Sequence, residues 1–193
     1  MKYQSKNYTS GEKALTRKEY EKLLSVIDTH EDELFLKMAI TTGLRREDLA
    51  NVKIGDINLD ERLLFFHESK KNVNRSIPLM DDIIILLSRY LKTTSGKDKD
   101  ALFSCTGTQM YRRFNGYDDK NKKHHIGYFD KAGIPNRPIH AFRATAIKFM
   151  HDVGYSDPQI MAITGDTLEV LQQHYMTPSM DELRNVVKEK SIL

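Results

Sequence analysis

One block, from Asn58 to Leu79, constrains the fold most, because it reads as strand in a chain whose other apolar residues recur at helical spacing. Asn58–Ser69 and Val73–Leu79 flank a polar turn, Lys70–Asn72, and Pro78 closes the second run. A turn that short joins antiparallel neighbours. Before the block, Thr16-Arg-Lys-Glu19 has the form of a capping box, and Leu23, Leu24 and Ile27 continue it as an apolar stripe. A second helix is predicted over 31–42, with Leu34, Phe35, Met38 and Ala39 inward and Gly43 as its left-handed stop. A short helix follows from Arg46 to Val52.

After the block, Asp81–Leu91 reads as an apolar-rich helix and 93–100 as a polar linker. Helical segments lie around 109–132, interrupted near Gly116 and across Asp118–His125. From His140 onward, helices are predicted at about 140–153, 156–163, 167–175 and 179–190. The expectation is a mainly α fold with a small antiparallel β-sheet (α+β). Residues 1–14 read as a flexible N-terminal segment and 15–193 as one domain, without internal repeats.

With 39% apolar and 30% charged residues, 193 positions can supply a core and a solvated surface. No apolar run approaches the ~20 residues of a membrane span. Met1–Lys13 lacks the apolar centre of a signal peptide, so a cytoplasmic protein is expected. Cys105 stands alone, which excludes an intramolecular disulfide and a cysteine-based zinc site; it reads as a buried or inert thiol. The seven histidines form no H-E-x-x-H pattern, His124-His125 reads as a solvated loop, and neither a metal nor a cofactor is expected. The net charge of +3 says little. Its distribution says more: Gly107–Arg137 holds seven Lys or Arg against three Asp, interleaved with Tyr111, Phe114, Tyr117, Tyr128 and Phe129. That pattern suits phosphate-backbone contact, and equally a solvated helix and loop.

Four separated segments hold the chemistry. They are Thr42-Gly-Leu-Arg45-Arg-Glu-Asp48, Lys70-Lys-Asn-Val-Asn-Arg75, His140-Ala-Phe-Arg143, and Ile163-Thr-Gly165-Asp166 with Tyr175 nine residues further on. Taken singly, each has a plain structural role: Arg45 as a surface residue, His140 as a helix cap, the lysines as a solvated turn, Tyr175 as a packing residue. Breaking a DNA strand without a metal needs a nucleophile, cations on the phosphate, and an acid for the departing 5′-oxygen. A phenol with an ordinary pKa of ~10 attacks poorly without help. Guanidinium groups match the phosphate oxygens with paired donors, and a lysine and a histidine can move the protons.

In order and spacing, these segments resemble the tyrosine recombinases, the family of phage integrases, Xer-type resolvases and archaeal viral integrases. The resemblance runs from Leu15 to about Val187 and implies the catalytic domain of that family. By it, Arg45 and Arg143 clamp the scissile phosphate. Lys70, five residues before Arg75, protonates the 5′-oxygen, with Lys71 as the fallback. His140 assists proton transfer, Tyr175 forms a 3′-phosphotyrosyl bond, and Asp48 orients the site. On the helix from His140, the stripe Phe142, Ala146, Phe149 and Val153 is expected to face the core. Arg143 then projects off that stripe, and the first turn suits an anion.

Two features depart from the family pattern. Where the family has His or Trp after the glycine of the fourth segment, this chain has Asp166, and an ionised carboxylate cannot donate a hydrogen bond to phosphate. Losing such a donor typically slows cleavage ~10²–10³-fold. Asp166 and Glu169 form an Asp-x-x-Glu capping pattern, which favours a helix-cap role for Asp166. His174 or a lysine is then the candidate replacement donor. The second departure is length: about 15 residues precede the catalytic segments, so the family's N-terminal core-binding domain is expected to be absent here, either excised or lacking from a minimal protein; weaker DNA binding is expected without it.

The resemblance implies double-stranded DNA as partner, a tetramer on DNA with the free domain a possible monomer, and action at a nucleoid or in a virus-infected host cell. Met180, Leu183, Val186 and Val187 at helical spacing suit docking on a neighbour, or packing on their own domain. The alternatives to recombination are supercoil relaxation of the type IB topoisomerase kind and a non-catalytic DNA-binding domain of the same fold.

Overall fold

The computed structural model describes residues 13–138 and 140–174, the last two by backbone alone. Residues 1–12 of the predicted N-terminal segment 1–14, Tyr175 and the predicted helix at 179–190 lie outside the described residues. Helix α1 (Arg17–Ser25) starts from the capping box: Thr16 Oγ1 accepts the Glu19 amide, and Glu19 accepts the Thr16 amide at 2.8 Å. Helix α2 (His30–Thr42) buries Leu34, Phe35 and Leu36 in succession, then Met38, Ala39 and Ile40. A helix apolar on nearly every side belongs in a protein's centre. There it packs against the later helices α4 (Asp81–Thr93) and α7 (Ala141–Asp152). Gly43 ends α2 at φ +62°, as predicted, and its carbonyl is thereby presented to the functional site.

Helix α3 (Arg46–Ala50) leads into a three-stranded antiparallel sheet, β1 (Ile57–Asn58), β2 (Leu63–Glu68) and β3 (Val73–Pro78), in the order β1-β2-β3. The single strand expected from Asn58 to Ser69 is therefore two, separated by a turn in which Arg62 adopts φ +57°. On β2, Leu64, Phe66 and Glu68 are buried while Phe65 and His67 are exposed. The strand's period of two thus carries a carboxylate into the interior.

The interruption expected after α5 (Gly107–Asn115) is a second small hairpin, β4 (Tyr117–Asp118) with β5 (His124–His125), before α6 (Tyr128–Ala132). His124-His125 is thus paired strand rather than loop. The His125 ring stacks on Tyr117 at 4.6 Å, and His124 sits between Asp118 and Asp130. Local pairing of oppositely charged groups favours the hairpin that the polar composition hides. Phe114 is the aromatic hub of the main core, with Phe142 at 5.0 Å, Tyr128 at 5.3 Å and Phe35 at 6.3 Å. Cys105 is buried, and burial pushes its thiol pKa up.

Helices α7, α8 (Asp157–Thr164) and α9 (Leu168–His174) complete the described chain. On α7, Ala146 and Phe149 are buried and Phe142 packs against the core, as expected. Val153 does not join them: it caps the helix end and is 63% exposed. Arg143, expected off the apolar stripe, is buried among Ala141, Ala144 and Thr145, because α8 and the Gly43 turn cover that face too. No described helix is long and apolar enough to cross a membrane.

Candidate active site

Arg45 and Arg143 converge. Arg45 is the N-cap residue of α3, and its Nη1 donates to Glu68 Oε1 at 2.7 Å. Its Nη2 lies 3.7 Å from Asp166 Oδ1. Arg143, in the first turn of α7, meets the same carboxylate: Nη2 lies 2.7 Å from Oδ1, and Nε donates to Oδ2 at 3.1 Å. Its other donors go to the carbonyls of Gly43 at 2.6 Å and Thr164 at 2.7 Å. Two guanidiniums from opposite halves of the sequence therefore share one anion.

Asp166 does not cap the following helix. Thr167 does, accepting the Val170 amide at 3.3 Å, while the Asp166 side chain turns to the arginines. The Asp-x-x-Glu pattern misleads here because buried guanidiniums bind a carboxylate more strongly than free helix amides do.

Beside this pair lies a second cationic layer that sequence reasoning missed. Glu68 is 1% exposed and bridges Arg45 and Arg75, the latter at 3.0 Å. Burial pushes its pKa up, but the hydrogen bonds from Arg45 and Arg75 outweigh it and hold it below the usual value. Arg75 also donates to the Ala162 and Ile163 carbonyls, tying the sheet to the end of α8. Gly165 caps α8 at φ +78°, and a Cβ there would stand 2.8 Å from Glu68 Oε2. Strand alternation was the available signal: Leu64, Phe66 and Glu68 share one face, and an inward carboxylate requires cations.

The turn after β2 is anchored by Asp48, whose Oδ1 accepts the Ser69 amide at 3.1 Å. Lys71 donates to the Gly165 carbonyl and lies 4.0 Å from Glu68, whereas Lys70 is exposed and has no partner among the described residues. His140 is the N-cap residue of α7 but makes no side-chain cap bond. Partial desolvation of the ring lowers its pKa, and the positive charges of Arg143, Lys13, Arg45 and Arg46 lower it further. Its ring therefore favours the neutral form. His140, Arg45 and Arg143 line one pocket with Arg46, Tyr111 and Arg137. His174 ends α9, one residue before Tyr175.

Much of the basic stretch is engaged internally: Arg113 binds Glu31 and Asp32, and Arg137 binds Glu19. Lys120, Lys122 and Lys123 remain exposed on the second hairpin.

Comparison with known proteins matches the phage integrase family over residues 13–181. The tyrosine recombinase XerA of Saccharolobus solfataricus is 27% identical over 173 residues, which are 90% of this chain and 55% of that protein. XerA of Pyrococcus horikoshii is 37% identical over 81 residues, 42% of this chain and 28% of that protein. The chain thus spans little more than half the length of the first of these relatives and less of the second. A crystal structure of XerA recombinase superposes with a TM-score of 0.72 at 20% identity, covering 91% of this chain and 64% of that one. A lambda integrase (75–356) dimer bound to a COC′ core site gives 0.63 at 19% identity, covering 86% and 60%. At these identities the likeness is one of fold.

Proposed function

This chain belongs to the phage integrase family, and from that premise we propose that it cuts and rejoins duplex DNA through a covalent bond to Tyr175. The observation that carries the reading is the shared carboxylate: Arg45 and Arg143 already hold one anion between them. A phosphodiester presents the same paired oxygens. With the scissile phosphate on the two guanidiniums, the Tyr175 phenol oxygen attacks phosphorus and the bond to the 5′-oxygen breaks. A 3′-phosphotyrosyl link and a free 5′-hydroxyl result. The phenol proton goes to the neutral imidazole of His140, and the 5′-oxygen takes its proton from Lys70. Religation by a 5′-hydroxyl reverses each transfer.

Asp48 acts on position only, by holding the turn that bears the lysines. His174 is the candidate donor for the contact that Asp166 cannot make. Recombination joins two duplexes, so the working form is an assembly of protomers on DNA. Tyr175 lies inside the stretch that the family match covers, residues 13–181, which supports this reading.

The test is a duplex with a nick close to the cleavage point, from which the short 5′-hydroxyl product diffuses away. A protease-sensitive, gel-retarded adduct is expected, and it disappears in Tyr175→Phe. Tight DNA binding without any adduct would overturn the enzymatic reading in favour of a binding domain. Relaxation of a supercoiled plasmid without strand exchange would reassign the chemistry to a topoisomerase.

A further inference from the structure

We propose that Asp166 is the resident anion of the phosphate site, an internal carboxylate that DNA has to displace before Arg45 and Arg143 can hold the scissile phosphate. This rests on the DNA-cleavage reading and extends it to how that site is controlled.

The Asp166 side chain is 7% exposed, with both oxygens on Arg143 and one of them facing Arg45 as well. That is the fork-to-fork arrangement in which a guanidinium would otherwise take two phosphate oxygens. Arg143 has no second pair of aligned donors to offer, because the Gly43 and Thr164 carbonyls hold its remaining edge. While Asp166 stays, a phosphate cannot take that edge.

The carboxylate has no competing local duty. Thr167 caps α9 in its place. The left-handed turn at Gly165 sets the direction in which residue 166 leaves α8. The surrounding charges make the exchange feasible. Arg45, Arg75, Arg143 and Lys71 face Glu68 and Asp166, so the cluster remains cationic with the carboxylate in place and still attracts a phosphodiester. Displacement swaps one singly charged anion for another. A lone phosphate competes poorly with a tethered carboxylate, whose effective concentration is high. A duplex held by many other backbone contacts competes well. Asp166 is thus a positioning residue that sets a threshold: it biases the site toward DNA that is fully engaged elsewhere.

Titration calorimetry with inorganic phosphate tests this without requiring cleavage. Asp166→Asn and Asp166→Ala should bind phosphate about tenfold or more tighter than the unaltered protein, whereas Asp166→Glu should bind as weakly as it does. On the nicked duplex, the first two variants should form adduct faster at limiting DNA. Unchanged or weaker phosphate binding in both Asn and Ala variants, including weakening through a lowered melting temperature, would overturn the proposal and make Asp166 a buttress for Arg143. If the phosphate ranking holds but no variant forms an adduct, the occupant assignment stands and the cleavage reading fails.

Discussion

Glu68 stands between two arginines with almost no access to water, and that placement sets its energetic role. A buried ion pair adds little over an apolar replacement, but removing one partner leaves the other charge uncompensated, at a typical cost of ~3–5 kcal/mol. Glu68→Gln should therefore lower the unfolding free energy by about that amount in a denaturant titration. The same carboxylate makes stability depend on acid. Because Arg45 and Arg75 hold its folded pKa below the ordinary 4.5, the unfolded chain takes up the proton first. The stabilisation is present above pH 4.5 and is lost as pH falls through the lower folded value. His140 titrates with the opposite charge but a related sign. Its folded pKa is below 6.5, so the unfolded state again binds the proton first, and acid weakens the fold between the lowered value and 6.5. For the reaction, the neutral ring persists below pH 6.5. Single-turnover adduct formation should lose rate on an acid limb centred below 6.5, and His140→Gln should abolish that limb; a limb centred above 6.5 would exclude His140 as the proton acceptor.

At the level of elements, the hairpin of β2 and β3 distinguishes the two lysines between which the proposed proton donor to the leaving group is chosen. Its turn is pinned at Ser69 by Asp48, and Lys71 is tied across to Gly165, whereas Lys70 is exposed without a partner among the described residues and is therefore the proposed acid. Lys70→Ala should slow cleavage by ~10²–10⁴-fold, the usual range for a lost general acid. The rate should return on a duplex whose bridging 5′-oxygen is replaced by sulfur, since a thiolate leaves without protonation. Lys71→Ala should need no such rescue; rescue of Lys71→Ala alone would exchange the two assignments. The sequence announces this hairpin, and it announces α1 and α2, because capping boxes, Gly43 and apolar spacing are local signals. It does not announce β1 or the β4–β5 hairpin, where two-residue strands are too short for any period to register. The site was legible as a set of residues because Arg45, His140 and Arg143 sit in compact motifs. Glu68 and Arg75 escaped because their importance arises from pairing across strands and onto α8. Asp166 was visible as an oddity, but its partners come from other elements and no local pattern names them.

At the scale of the molecule, the described residues form two apolar cores of unequal size, and the difference bears on where the chain can move. The main core spans α1 to α6 and the sheet, and reaches Phe149 of α7. The smaller one contains Ala146, Ile147 and Met150 of α7 with Ile160 of α8 and Leu171 of α9. Among the described residues, helix α9 adds only Leu171 to it, yet α9 leads directly to Tyr175 in the sequence. Regions with few buried apolar contacts open at lower free energy than the global transition. Leu171→Ala removes its one buried anchor among the described residues and should cost ~2–5 kcal/mol where the element cannot collapse onto the gap. Because Leu171 belongs to the smaller core, most of that loss should appear as local opening. Hydrogen exchange should accelerate across α9 while the amides of α2 keep their protection, and the melting temperature should move little. Cleavage of the nicked duplex should fall sharply in the same variant. Equal acceleration in α2 and α9 would instead show that the two cores unfold as one, and that α9 is no more mobile than the centre of the fold.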